Sequence, residues 1–478
     1  MNLRRRSIIG LRWLAATHVL RGAISTVTLL VLARLLSPSD FGLQEMALVV
    51  VGVGLILAEA GLRPALIQRL EHTPALLSSA FWAALLTGGL LMIAVLLGAP
   101  AIAAFYREPR VVPVLRVLSL LFPISAARVV PQAVFEKRLA FRRLSVLDLC
   151  STVCGSAAAV GAALSGLDVW SLVIQVIAGS LTLTSLLLVF GGWTPRAEFD
   201  RRALRPITPY ALNQTGARLV EYLSRKVHDL IIGRYLGAPS LGQYSTAYQV
   251  MLFPVLAVSR LVSRVLFPAF AHVQDDDERM ARVFGDFAVA VATLTFPLML
   301  GLWAVADVFV AVALGPQWEP VGDLLRVLAP IGALQSVTAL ADNVLLAKGR
   351  ADIQMRWNLL QSLCVLGAVL IGIRWSLRGA AVAYAVTSLA LAYPWLRIAA
   401  GLLHVPVARL TQVLIRPLLA ATIMVVTLIG TRVWVLAGST DLWALLVLIT
   451  VGAASYLGAV LWLGEGRFLV LARELLAG

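Results

Sequence analysis

Charge is what this chain most lacks. Asp, Glu, Lys and Arg make up only 14% of its 478 residues, against roughly 25% in an ordinary soluble domain, while 60% are hydrophobic and the mean hydropathy is +0.89. That balance excludes a soluble globular fold and implies a polytopic membrane protein. Cysteine is scarce as well. Cys150, Cys154 and Cys364 form no disulfide framework, and although Cys150 and Cys154 share a helix face, no third ligand lies near them in sequence, so packing explains them better than a metal. No G-x-x-x-x-G-K-[ST] stretch exists to cradle ATP phosphates, and His18, His72, His228, His272 and His404 are scattered without H-E-x-x-H spacing. No catalytic chemistry, metal or other cofactor is therefore expected. Acids are fewer than bases, 25 against 40, which leaves a net charge of +15. In a soluble protein that surplus would suggest nucleic acid; here it is better read through membrane topology, and no nucleic-acid partner is expected.

What is present is a succession of apolar windows of about 20 residues, the length an α-helix needs to cross a bilayer, rather than the period-two alternation of a barrel. The opening MNLRRRSIIG resembles the basic start of a signal peptide, but no A-x-A site follows and the helix carries Arg12, His18 and Arg21, so it reads as a retained first span. Further blocks run near 41–61, 76–98, 111–133, 144–165 and 169–191. After the stretch 207–236 come 242–263, 284–306, 324–346, 357–374, 378–399, 413–436 and 442–463. The fold class expected is an all-α polytopic membrane protein of about fourteen transmembrane helices. Basic residues gather in alternate loops, at Arg4–Arg6, Arg63 and Arg69, Lys137 to Arg143, and Arg196 to Arg205, which predicts cytoplasmic termini. Most tryptophans, Trp82, Trp193, Trp434 and Trp462 among them, fall near span ends, where indoles anchor at the interface.

The few charges inside spans carry the functional signal. Over 207–236, at about 100° per residue, Gln214, Arg218, Glu221, Tyr222, Arg225 and Asp229 share one arc, with Leu212, Leu219, Leu223, Val227 and Leu230 opposite. An Arg facing lipid at a helix centre costs about 2.5–3.5 kcal/mol on insertion scales, so that arc should face water or protein. The first helix is two-faced too, with Thr17, His18, Arg21, Ser25 and Thr28 on one side. Arg suits an anionic headgroup because its planar fork binds phosphate oxygens bidentately and stays charged. Arg21, His18, Arg218, Arg225, Gln214 and Arg128 are the candidate substrate-binding residues, and Glu221 and Asp229 the candidates for coupling to a proton or sodium ion. A structural reading competes: Glu221 with Arg225, and Arg225 with Asp229, stand four residues apart and could neutralise one another in a ladder. Arg21 has no acid at such spacing. Arg116, Arg128, Arg260 and Arg326 also fall in spans and could line a cavity or reach its ends. Asp40 follows Ser39 at a helix start and fits a capping role, Glu59 is four residues from Arg63, and the acidic run Asp275–Glu278 reads as a solvated helix start.

The chain also echoes itself. Residues 33–47 lie over 233–247 at a constant offset of 200, matching Arg34 with Arg234, Leu36 with Leu236, Gly42 with Gly242 and Ala47 with Ala247. Duplication of a six-helix unit predicts two pseudo-symmetric lobes around a central cavity, with 1–195 as the first lobe, 196–400 as the second, and 401–478 as two additional helices and a tail.

ARLLSPSDFGLQEMALVVVGVGLILAEAGLRPALIQR, from Ala33 to Arg69, resembles the start of the polysaccharide-exporter (Wzx-type) flippases of the multidrug/oligosaccharidyl-lipid/polysaccharide superfamily, especially the colanic-acid and teichuronic-acid exporters. The LLSPSDFG and GLRPALIQR pair is the specific signature; beyond residue 70 the likeness is one of architecture. The resemblance implies transfer of undecaprenyl-pyrophosphate-linked oligosaccharide repeat units from the cytoplasmic to the periplasmic leaflet of a bacterial inner membrane, by alternating access, for surface polysaccharide synthesis. Its partners would be that lipid-linked oligosaccharide and membrane lipids, with a polysaccharide polymerase and a chain-length regulator as candidate protein contacts. It also implies arginines in the central cavity as lipid-headgroup ligands, a role that Arg21, Arg218 and Arg225 match by position. A membrane polymerase or ligase is the alternative, but the longest connections on the far side, near 99–110 and 307–322, are short for one. A drug exporter of the same superfamily would favour carboxylates over arginines in its cavity.

Overall fold

The structure, a computed structural model, describes residues 3–69, 73–272, 276–436 and 439–463, with backbone alone at 3–16, 18–19, 256–257, 259–265, 267–269 and 271–272. Its α-helices are α1 (Leu3–Leu35), α2 (Pro38–Glu59), α3 (Leu62–Gln68), α4 (Pro74–Tyr106), α5 (Val111–Leu118), α6 (Leu121–Lys137), α7 (Phe141–Leu164), α8 (Val169–Phe190) and α9 (Arg201–Leu204). They continue as α10 (Thr208–His272), α11 (Asp277–Phe309), α12 (Glu319–Ala347), α13 (Ala351–Gly372), α14 (Leu377–Leu402), α15 (Val407–Thr411), α16 (Ile415–Trp434) and α17 (Leu442–Trp462). Eleven spans among the described residues are long and apolar enough to cross a membrane on their own composition. Helix α1 and the two halves of α10, which hold much of the intramembrane charge, complete the fourteen that the apolar blocks predict.

Local chemistry sets the boundaries. Ser37 caps α2: its hydroxyl accepts from the Asp40 N–H while the Asp40 carboxylate accepts from the Ser37 N–H at 2.9 Å, so Asp40 does cap this helix, from its third position. Asp276 is the N-cap of α11 and its carboxylate accepts from the Arg279 N–H at 2.9 Å, while Asp277 and Glu278 complete an acidic first turn where the helix dipole favours negative charge. Left-handed residues at Ala60 and Gly61 separate α2 from α3. Gly237, at φ 78° and ψ −177°, breaks α10 into 208–236 and 238–272, a conformation open to glycine and strained for any other residue.

The chain forms two compact units, Met1–Gly242 and Gln243–Gly478. In the first, α2, α3, α4 and α6 pack with the start of α10 around Leu66, Ala80, Ala126, Val130, Ile207 and Ala211. In the second, Phe270, Phe284, Leu340, Val344, Trp395 and Leu403 form the core, with Trp357 stacked on Trp395 at 5.1 Å. Charge ties α16 into that unit: Asp307 of α11 accepts from Arg326 of α12 and, at 2.8 Å, from Arg432 of α16. Large apolar side chains such as Leu86, Leu90 and Leu97 point outward, as surfaces facing lipid tails require, and exposed Trp434 and Trp462 sit at the ends of α16 and α17.

Candidate functional site

The functional side chains of the first unit are placed by a seam in which α2 runs antiparallel to residues 208–242. Small residues let the backbones meet. A Cβ on Gly42 would stand 1.7 Å from the Ala238 carbonyl oxygen, and one on Gly242 would stand 1.9 Å from the Pro38 carbonyl oxygen. Those four positions are the ones related by the 200-residue offset, so the two copies of the repeated segment touch reciprocally, as a local two-fold axis demands. Farther along, a Cβ on Gly52 would strike the Tyr222 hydroxyl at 2.0 Å, and that hydroxyl donates to the Leu48 and Val49 carbonyls at 3.0 and 3.2 Å. Lipid supplies no hydrophobic drive between helices, so close backbone approach and interhelical hydrogen bonds of this kind hold the seam.

At the α3 end of the seam lies a cavity of about 210 Å³ whose polar lining is Glu59, Arg63, Ser125, Arg128 and Gln132. Arg63 donates to Glu59 at 2.8 Å and to Glu136 at 3.0 Å, and Arg218 reaches the other Glu59 oxygen at 3.0 Å. Gln132 donates to the same Glu136 oxygen, Oε1, at 3.0 Å. Arg21 stands 4.0 Å from Asp148, the outer limit of an ion pair. Arg128 differs from the rest: its contact is the Ser180 hydroxyl at 3.4 Å, with no carboxylate in ion-pair range among the described residues. Asp148 lies within the field of Arg21, Arg128, Arg63 and Glu136, so these side chains share one electrostatic neighbourhood. Four guanidinium groups, of Arg21, Arg63, Arg128 and Arg218, face three carboxylates, of Glu59, Glu136 and Asp148, which leaves one positive charge in surplus. A partly buried guanidinium with no acidic partner is desolvated without return, and an entering anion would supply the charge-assisted bonds it lacks.

Of the residues singled out in the sequence, Arg21, Arg128 and Arg218 come together here. Gln214 sits one turn before Arg218 and donates to the Tyr210 hydroxyl at 3.4 Å. Arg225 and Glu221 pair with each other at 3.0 Å on an exposed face, which is one rung of the ladder; the second rung does not form, because Asp229 is buried and takes Lys226 at 2.8 Å instead of Arg225. The His18 side chain lies outside the described residues, as does that of Arg260. Arg326 belongs to the Asp307 cluster of the second unit. Sequence reasoning missed Lys226, Glu45, Glu136 and Asp148. Lys226 did carry a signal, a lysine inside an apolar span with an acid three residues on, whereas Glu136 and Asp148 reach the arginines from other helices and leave no trace in local spacing.

Known proteins share this fold and part of this sequence. The structure superposes on the lipid II flippase MurJ in an inward closed conformation with a TM-score of 0.77 at 13% identity, covering 93% of this chain and 97% of that one. It superposes on an inward-facing multidrug resistance MATE transporter of the MOP superfamily with a TM-score of 0.61 at 14% identity, covering 84% and 98%. By sequence the chain is similar to the lipopolysaccharide biosynthesis protein WzxC of Escherichia coli (strain K12), 29% identical over 78% of this chain and 76% of that one. It is also similar to the teichuronic acid biosynthesis protein TuaB of Bacillus subtilis (strain 168), 32% identical over 70% of each. Residues 31–323, well over half the chain, match the profile of the polysaccharide biosynthesis proteins, and the chain belongs to that family.

Proposed function

We propose that this protein flips undecaprenyl-pyrophosphate-linked oligosaccharide repeat units across the bacterial inner membrane, from the cytoplasmic to the periplasmic leaflet, for surface polysaccharide synthesis. The observation that carries the reading is Arg128, a guanidinium without a carboxylate on the wall of a cavity whose surrounding charges sum to a positive surplus. A pyrophosphate cannot cross hydrocarbon bare, because an isolated ion there costs tens of kcal/mol by idealised solvation. A cationic cavity that offers bidentate donors removes most of that barrier. Arg21, Arg128 and Arg218 would hold the phosphates, with Gln214 and the exposed Arg225 along the same helix for the sugar and its approach; Asp229 and Glu221 are the acids available for ion coupling. The fold supports alternating access, since it is shared with MATE transporters in both inward-facing and outward-facing conformations. The names of the relatives support the cargo class: lipopolysaccharide, teichuronic acid and succinoglycan biosynthesis, the last a transport protein. Basic loops at 137–143 and 196–205 support cytoplasmic termini.

Deleting the protein in its native host and locating the undecaprenyl-linked repeat units tests the reading. Accumulation on the cytoplasmic leaflet is expected. Accumulation on the periplasmic leaflet would mean that flipping proceeds without this protein and that a later step, polymerisation or ligation, has been lost.

A further inference from the structure

Toward the α4 end of the same seam the first unit buries a second set of charges that the arginine cavity does not use. Glu45 on α2 is 6% exposed and Asp229 on α10 is 2% exposed. The Lys226 ammonium bridges them, donating to Glu45 at 2.6 Å and to Asp229 at 2.8 Å. The other titratable groups facing this set are Tyr222 and His228 on α10 and Tyr106 at the end of α4. The Tyr222 hydroxyl is committed to the Leu48 and Val49 carbonyls, and His228 Nε2 stands 3.4 Å from Asp229. Tyr106 is 2% exposed; its ring lies against Gly233, one turn beyond Asp229, and its hydroxyl is within electrostatic reach of both carboxylates yet makes no hydrogen bond among the described residues.

Two carboxylates facing one ammonium leave a buried negative charge. Carboxylates that share a site in this way do not readily ionise together, and an uncompensated one is neutralised rather than tolerated in such surroundings. A sodium ion would need several oxygen ligands around it, but the lysine nitrogen stands between the two acids, and no group of three or more His, Cys, Asp or Glu is arranged for a metal among the described residues. A proton needs no cage. We propose that Glu45 and Asp229 hold one exchangeable proton between them, with Lys226 as the fixed counter-charge and the Tyr106 hydroxyl as the hydrogen-bonding partner of whichever carboxylate changes state. A second proton would neutralise both acceptors of Lys226 and dissolve the charge tie between α2 and α10. That use as a drive rests on the flipping reading; the protonation site itself does not.

Infrared spectroscopy of the purified protein in lipid nanodiscs tests it without any transport. At neutral pH the wild type should show a carboxylic-acid C=O stretch that shifts in D2O, and the double variant Glu45→Gln/Asp229→Asn should lose it, while Glu221→Gln, on the exposed face of the same helix, should keep it. Lys226→Met should strengthen the band, since both carboxylates then need a proton. Should the double variant not fold, the single amide variants, which preserve shape, take its place, and at least one must abolish the band. A wild-type spectrum without the band, or a band that persists in all these amide variants, overturns the proposal and leaves the flipping reading untouched.

Discussion

Arg128 and Arg63 share a cavity wall but should respond to removal in opposite ways. Arg63 bridges two carboxylates, Glu59 and Glu136, so Arg63→Gln leaves Glu59 with Arg218 alone and Glu136 with Gln132 alone and should destabilise the protein by roughly 1–3 kcal/mol. Arg128 satisfies none, so Arg128→Gln should leave the melting temperature in detergent unchanged or slightly raised. It should nevertheless lower export by about tenfold to a hundredfold, the equivalent of one charge-assisted bond of roughly 1.5–3 kcal/mol to the transported anion. Quantified surface polysaccharide beside a thermal-stability assay separates the two; undiminished export in Arg128→Gln would remove it from the site. Arg21, Arg128 and Arg218 were legible in the sequence because charge inside an apolar span stands out at once, whereas Arg63 read only as a loop residue four places from Glu59. Their carboxylate partners were not. Glu136 and Asp148 lie near span ends, where acids are unremarkable, and only packing of α1, α2, α6 and α7 brings them to the arginines.

At the scale of helices, contact between α2 and α10 depends on residues that have no side chain. Gly42→Ala places a methyl carbon 1.7 Å from a backbone oxygen, so the helices must part and the Lys226–Glu45 bond and the Tyr222 hydroxyl bonds must stretch with them. A loss of about 1–3 kcal/mol is expected from overpacking alone. Gly89→Ala on α4, where an added Cβ meets nothing within 4 Å, is the control and should be neutral or stabilising by up to about 1 kcal/mol. Equal melting temperatures for the two variants would show that the seam is looser than described. Helix positions were legible to within a few residues because windows of about 20 apolar residues leave little choice. The break in α10 at Gly237 was legible too, since 207–236 and 242–263 read as separate stretches; the one after α2 was not, because the apolar block that ends near residue 61 continues past Ala60 and Gly61 as α3. The reciprocal contact of residues 38–42 with 238–242 is where the 200-residue echo takes physical form. Four matches in fifteen aligned positions carry little weight by themselves, yet the matched glycines are those that let the two copies touch.

For the molecule as a whole, the surplus of +15 is what arginine- and lysine-rich cytoplasmic loops would produce, and the side on which those loops lie would decide how the two charge sites are used. The orientation we propose has both termini in the cytoplasm, because an even number of spans returns the chain to its starting side and the loops at 137–143 and 196–205 are rich in arginine and lysine. A C-terminal green fluorescent protein fusion should therefore fluoresce and a C-terminal alkaline phosphatase fusion should be inactive, whereas phosphatase inserted at the short α7–α8 turn, near Gly166, should be active. An active C-terminal phosphatase would invert the whole assignment. With this orientation, Glu59, Arg63 and Glu136 lie at the cytoplasmic end of the α2–α10 seam, beside the α6–α7 turn. Glu45, Lys226 and Asp229 lie toward the opposite end, since fourteen residues of helix separate Glu45 from Glu59, about 21 Å. An anion entering from the cytoplasm would meet the positive cavity first, and the protonatable pair would sit in the half of the seam nearer the periplasm. If the pair governs whether that half stays closed, then acidifying the periplasmic side of proteoliposomes should change the export rate of the wild type and have far less effect on Glu45→Gln. Identical pH profiles for the two would separate the protonation site from transport, whatever the infrared spectrum shows.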